Sequence, residues 1–373
     1  MPQPQPIPVN EPLFDGNEKK YVLECVETGW VSSEGPFVTR FEELAAKRFQ
    51  RKHAIAVCNG TAALEVAVAA LELPAGSEVI LPAFTIISCA LAVVRARLVP
   101  VLVDSDPQTW NFDLNQLESK ITEKTRAILP VHIYGLPVDM QAVQEIAKKR
   151  GLRVVEDAAE AIGQTCRGKP CGSFGDASIF SFYPNKHVTT GEGGMVLTDD
   201  DRIAEKARSL RNLCFDPARR FIHEELGHNF RMTNLQAALG LAQLESLDRH
   251  LELKRRMGAR YQKQLVGEVR VQLPLERTDC AENLYWVFGV VGREGAPDAL
   301  EMMRRLAERK IGTRHFFWPL HQQPAFQRAG LFKNERHPVA ERLANRGFYL
   351  PSGLALREEQ IDRAADALRA CLG

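Results

Sequence analysis

Residues 153–161, Arg153-Val154-Val155-Glu156-Asp157-Ala158-Ala159-Glu160-Ala161, decide how the rest of the chain is read. An apolar, β-branched run stops at two consecutive carboxylates and gives way to small residues, as an interior strand of a parallel sheet does. Ligands of open α/β sheets bind beyond the carboxyl ends of the strands, so Asp157 stands where a site is expected. A carboxylate there can hold a positively charged ring nitrogen; its plainer role is to cap the helix that follows.

Similar runs recur on both sides: His53–Val57, Val79–Leu81, Val99–Val103, Ala127–Val131, Ser178–Phe182 and Met195–Thr198. Segments with helical periodicity, such as Met140–Arg150, separate them, and this alternation predicts an α/β domain with a mostly parallel sheet. Thr233 and Gln236 have the form of a capping box, after which Leu244, Leu247 and Leu251 recur at helical spacing. One long helix is expected to leave the sheet domain there. A strand at Tyr285–Val291 and helices at Asp298–Lys310 and Ile361–Leu372 predict a smaller α+β domain. At 373 residues the chain is long enough for two or three domains. The division is placed at 1–245, with an N-terminal arm, and 246–373.

Lys plus Arg number 48 against 47 Asp plus Glu, a net charge of +1, so the excess basic surface of a nucleic-acid binder is missing. Apolar residues at 45% and charged ones at 25% exclude a disordered chain. The longest nearly apolar stretch, Val79–Val94, is broken by Pro82, Thr85 and Ser88 and is shorter than the roughly 20 residues of a membrane span. The N-terminus, MPQPQPIPVNEPLF, lacks a secretory pattern and is expected to run extended over the surface of a cytoplasmic protein. The eight cysteines lack paired metal-site spacing and read as reduced, mostly buried thiols, with no metal centre. Lys254-Arg255-Arg256 reads as a solvated helix face.

Two further segments lead to the same sheet edge. Cys58-Asn59-Gly60-Thr61-Ala62-Ala63-Leu64 joins a strand to an Ala-rich helix, and free amides at such a junction suit a phosphate; an ordinary turn and cap is the plainer reading. Phe180-Ser181-Phe182-Tyr183-Pro184-Asn185-Lys186-His187 ends a strand, and Val188-Thr189-Thr190-Gly191-Glu192-Gly193-Gly194 leads into the next. Lys186 therefore lies at the same edge as Asp157. A lysine in a glycine-lined, partly apolar turn is a candidate Schiff-base nucleophile, because desolvation favours its neutral amine.

These segments, with Asn229-Phe230-Arg231-Met232-Thr233, resemble in order and spacing the sugar-nucleotide aminotransferases of the DegT/DnrJ/StrS type, over essentially the whole chain. Within that family, the phrases DGNEKKYVLECVETGWVSS (15–33) and PVHIYGLPVDM (130–140) are most similar to the GDP-perosamine synthases. The resemblance implies a fold type I pyridoxal-phosphate enzyme, with a mainly parallel seven-stranded sheet and a small α+β C-terminal domain. It further implies a homodimer with active sites at the subunit interface. Lys186 would hold the cofactor covalently and Asp157 would pair with its pyridinium nitrogen. Glu160 would lie near the ring hydroxyl. Gly60, Thr61, Ala62 and Ser181 would hold the phosphate, with Asn229 reaching it from the partner subunit. Arg231, also from the partner, would take an anionic substrate group. Tyr183 and His321 would border the substrate, His321 being equally consistent with a packed interface role.

The implied reaction moves the amino group of L-glutamate, through pyridoxamine phosphate, to a nucleotide-linked 4-keto-6-deoxyhexose destined for O-antigen or another glycoconjugate. Two positions depart from the pattern. Ile86 stands where an aromatic residue normally stacks on the cofactor, and His315 and Trp318 stand where proline and histidine are usual beside the sugar. The nucleotide (GDP, dTDP or UDP) and the choice between C3 and C4 stay open. Sugar 3-dehydratases of the family carry histidine at the position of Lys186; here the histidine is next door, at His187. A noncatalytic regulatory binding protein is the alternative from another class.

Overall fold

The computed structural model describes residues 5–216, 218–219 and 221–373. Seven strands form the large sheet: β1 (His53–Val57), β2 (Glu78–Pro82), β3 (Val99–Val103), β4 (Thr125–Ile128), β5 (Arg153–Asp157), β6 (Ala177–Ser181) and β7 (Gly194–Thr198). Their order is β1-β7-β6-β5-β4-β2-β3. Neighbours are parallel except around β7, which runs antiparallel to both β1 and β6. The strands are buried on both faces, which is why they read as continuous aliphatic runs.

Connecting helices are cut where the sequence supplies caps. The Asn59 side chain accepts from the Ala62 amide at the head of helix Gly60–Ala70. Helix Met140–Arg150 starts on Asp139 and stops at Gly151 in the left-handed region (φ 65°), where glycine is favoured. The capping box at Thr233 and Gln236 is present, but the long helix after it is two helices, Asn234–Glu245 and Leu247–Leu265, broken at Ser246.

The C-terminal sheet comprises β8 (Val271–Gln272), β9 (Phe288–Gly292), β10 (Arg314–His315) and β11 (Gly347–Leu350), antiparallel in the order β8-β9-β11-β10. Helices Ala299–Glu308 and Glu358–Leu372 share an apolar core with it. The strand expected from Tyr285 begins only at Phe288, because Tyr285 takes φ 55° and the Leu284 amide turns aside to the Gly135 carbonyl.

Two expectations are corrected. Residues 1–4 of the N-terminal arm lie outside the described residues, but Ile7 is buried and paired with Lys310 and Gly312, so the arm enters the C-terminal core at that point. Lys254 is 1% exposed and so is not part of a solvated face; only Arg255 and Arg256 of that run are exposed. All eight cysteines are free and seven are buried. Among the described residues, no helix is long and apolar enough to cross a membrane.

Candidate active site

Strand alternation decides which of the two carboxylates serves the site. Glu156 and Asp157 are adjacent on β5, so their side chains leave opposite faces of the sheet. Asp157 turns to a cavity of about 680 Å³ at the carboxyl edge. There Oδ1 accepts from the Ala159 amide at 3.0 Å and Oδ2 from the Cys89 thiol at 3.3 Å. Asp157 therefore does bond to the backbone that follows it, and it faces the cavity as well. Burial raises its pKa, against the pull of those donors and of the nearby Lys186 charge.

Lys186 enters from the turn after β6, its amide bonded to the Tyr183 carbonyl. Its Nζ lies 3.6 Å from Glu160 Oε1 and 3.7 Å from the centre of the Trp286 ring, with the residue 9% exposed. Burial lowers its pKa, opposed by Glu160 and Asp157. Glu160 accepts from the Tyr134 amide at 2.9 Å, and burial pushes its pKa up to about 7 despite Lys186. The cavity thus holds an amine tuned toward neutrality beside two carboxyls that resist ionisation.

The helix head supplies the opposite wall. Asn59 accounts for the Ala62 and Ala63 amides, while the Gly60 and Thr61 amides are first-turn groups without intrahelical partners. Thr61 Oγ1 and Ser88 Oγ lie 2.8 Å apart beside them. The helix start meets β6 so closely that a Cβ on Gly60 would stand 2.6 Å from the Ser181 Cβ. This cradle of amides and hydroxyls suits a phosphate. With the Lys186 amine and the Asp157 carboxylate in the same cavity, the residues fit a ring cofactor carrying a phosphate, an aldehyde and a basic nitrogen.

Gly60, Thr61, Ala62, Asp157, Glu160, Ser181, Tyr183 and Lys186 all line this one cavity. Asn229 and Arg231 do not. In the extended segment 229–231 the middle residue, Phe230, faces the cavity, while Asn229 is exposed and Arg231 Nη1 donates to Asn212 Oδ1 at 2.6 Å elsewhere. His321 is also absent from the lining, held between Glu341 (3.1 Å) and the His337 ring. Ile86 lines the cavity, half-exposed, whereas Phe84 is fully buried among Tyr134, Phe316 and Phe317 and cannot take over the stacking position.

Sequence reasoning missed Cys89, Tyr134 and Trp286. Each reaches the site from a distant element, and no local pattern marks it.

The chain matches the model of the DegT/DnrJ/EryC1/StrS aminotransferase family over residues 12–369. It is 43% identical over 365 residues to a GDP-perosamine synthase of Caulobacter vibrioides, covering 97% of each chain. It is 40% identical to a GDP-perosamine synthase of Escherichia coli O157:H7, covering 95% of each. Among solved structures it is similar to Spr1654 from Streptococcus pneumoniae, known in PLP and PMP forms. The PLP form superposes with a TM-score of 0.90 at 26% identity, covering 98% of both chains. Matched along nearly its whole length, and with a lysine, a buried aspartate and a phosphate cradle around one cavity, the chain belongs to the DegT/DnrJ/EryC1/StrS aminotransferase family, as a pyridoxal-phosphate-dependent sugar-nucleotide aminotransferase.

Proposed function

We propose that the enzyme transfers the amino group of L-glutamate to C4 of a GDP-linked 4-keto-6-deoxyhexose. The observation that carries this reading is near-full-length similarity to two GDP-perosamine synthases. Pyridoxal phosphate supplies the electron sink that makes the donor's α-proton removable. In this reading Lys186 would hold the cofactor through its amine and would serve as the base for the donor's α-proton. Asp157 would pair with the ring nitrogen and Glu160 would lie near the ring hydroxyl. Gly60, Thr61, Ala62 and Ser181 would hold the phosphate, and Tyr183 would border the substrate. His321, packed outside the cavity, supports the segment that carries Trp318. The reading places synthesis in the cytoplasm and the product among O-antigen or related glycoconjugate precursors.

The test supplies the holoenzyme with L-glutamate and a panel of nucleotide-linked ketosugars, following 2-oxoglutarate and identifying the aminosugar by mass and NMR. Turnover with GDP-4-keto-6-deoxymannose alone is the expected result. Turnover confined to a dTDP or UDP sugar would move the substrate and leave the enzyme class intact.

The phosphate cradle gives a second expectation. Gly60→Ala drives a methyl group against Ser181, and overpacking of this kind costs about 1–3 kcal/mol. Cofactor affinity, measured by equilibrium dialysis, should fall about tenfold or more. Unchanged affinity would place the phosphate elsewhere.

We also propose that the active enzyme is a homodimer in which Asn229 and Arg231 complete the partner's site. Support comes from their position outside their own cavity and from exposed apolar residues on the first helix and its C-terminal extension, Leu23, Val26, Trp30 and Val31. Lys186→Ala and Asn229→Ala/Arg231→Ala chains should each be nearly inactive alone. Mixed in equal amounts after unfolding and refolding together, about half the dimers are mixed and hold one intact site, giving about a quarter of wild-type activity. No recovery in the mixture would put all the groups in one chain.

A further inference from the structure

Three arginines gather beside β9, and none of them lines the catalytic cavity. Arg293 follows β9 directly, and its amide donates to the Arg270 carbonyl at 2.8 Å, so its exposed side chain starts from a fixed backbone. Arg342 and Arg346 lie four residues apart on helix Pro338–Arg346, hence on one face, where like charges repel. Two grooves, of about 640 and 610 Å³, share Arg293 and Arg342 in their linings, and Arg346 lines the second.

Among the described residues, none of the three forms an ion pair. The acceptors that hold them are neutral: Arg342 donates to Gln272 Oε1 at 3.2 Å and to the Pro107 carbonyl at 3.3 Å, and Arg346 Nη1 donates to the Arg293 carbonyl at 2.9 Å and the Ala296 carbonyl at 3.3 Å. Elsewhere in the C-terminal region Arg260, Arg270, Arg304 and Arg305 each pair with a glutamate or aspartate. A helix dipole favours cations in the last turn, which accounts for Arg346 and does not explain why Arg293 is brought to it from β9. Among the described residues lining the two grooves, Glu294 is the one carboxylate, so the lining carries a net charge of +2. A guanidinium has five N–H donors, and each of these keeps some to spend on a ligand. Burial, and then the charges of Arg293 and Arg346, lower the proton affinity of Arg342, a repulsion that a bound anion would relieve.

We propose that Arg293, Arg342 and Arg346 form a second anion site, which takes a diphosphate, free or carried on a nucleoside, with one phosphoryl group in each groove. Guanidinium forks match phosphate oxygens two at a time. Two grooves that share two arginines suit two linked phosphoryl groups, and the net positive charge of the lining suits a ligand with two or more negative charges. Half-buried Leu273 and Leu275 give the first groove an apolar wall against which a nucleoside can lie. The site shares no lining residue with the catalytic cavity and is indifferent to which sugar is aminated.

The test is equilibrium dialysis of the cofactor-loaded enzyme against labelled pyrophosphate, with wild type, Arg293→Glu and Arg342→Gln side by side. Each variant should lose one site per chain or bind there at least about tenfold more weakly, while the KM for the nucleotide sugar stays at the wild-type value. Pyrophosphate held in the catalytic cavity would be common to all three proteins, so the difference between them belongs to the arginines. Arg293 is exposed and forms no ion pair, so Arg293→Glu keeps the fold, checked by a thermal melt, and carries the test if Arg342→Gln does not fold. The same titration with GDP separates the sources: tighter binding than pyrophosphate at the lost site identifies a nucleotide, and equal or weaker binding identifies the free diphosphate. The proposal is overturned if wild type and Arg293→Glu hold the same amount of pyrophosphate, none included. It is also overturned if the variants raise the KM in step with the loss, because the anion would then sit in the catalytic cavity. Inorganic phosphate held as tightly as pyrophosphate overturns it as well, since one phosphoryl group would then suffice.

Discussion

Lys186→Ala is expected to lower kcat by about four orders of magnitude or more, since in the role proposed for it Lys186 is both the covalent nucleophile and the proton carrier. Its amine lies 3.6 Å from Glu160 and is 9% exposed, so no other lysine can reach the same place without rebuilding the turn after β6. Lys254, the other buried amine of this region, is held on main-chain carbonyls and cannot substitute. The fold should survive the change. Without the ammonium, Glu160 and Asp157 lose a charge partner, but burial already favours their neutral forms, so each takes up a proton where it would otherwise stand as a bare carboxylate. The measurement is steady-state turnover with glutamate and the ketosugar, beside a thermal melt of the same preparation. Turnover within tenfold of wild type, with the melt unchanged, would remove Lys186 from the chemistry.

The parts of this site that could be read from the sequence are those whose signal is local. Asp157 ends an apolar strand and Lys186 stands in the turn just after another, and burial of β5 and β6 on both faces is what makes such strands visible as unbroken runs. Gly60 stands at a strand-to-helix junction for the same reason, although the side chain that caps the helix is Asn59. Trp286 was invisible because it acts through contacts 100 and 101 positions away in the chain, with Lys186 and Asn185. Cys89 looked like any buried thiol until the fold set it against Asp157. Lys254 misled for a different reason: two arginines beside it are solvated, and charge patterning cannot tell which of three consecutive cations faces inward. The sequence of β5 likewise shows two carboxylates and does not say which one faces the ligand edge.

That last ambiguity yields the second large effect, because one chemical change at two neighbouring positions should fail in two different ways. Glu156 points away from the cavity, fully buried. Its Oε1 accepts from the Gly172 amide at 2.7 Å and lies 2.9 Å from His132 Nε2. Its Oε2 accepts from the Phe174 amide at 2.9 Å and from the Ser178 hydroxyl at 2.8 Å. The His132 tautomer is fixed, since Nδ1 accepts from the Val138 amide and the proton must sit on Nε2. Four donors thus converge on one carboxylate, and an amide there would turn its own N–H group against at least one backbone amide, that of Phe174 or of Gly172. Glu156→Gln should cost about 3 kcal/mol of stability and Glu156→Ala about 3–5 kcal/mol, read from the urea midpoint. Asp157 accepts only two hydrogen bonds, from Ala159 and Cys89, and burial penalises its charge. Asp157→Asn can keep the Ala159 bond and sheds that penalty, so its urea midpoint should match or exceed wild type. What it loses, in the role proposed for Asp157, is the anion that would keep the cofactor nitrogen protonated, and kcat should fall about a hundredfold or more. If Glu156→Gln instead folded as well as wild type and lost turnover, while Asp157→Asn unfolded, the assignment of the two faces of β5 would have to be reversed.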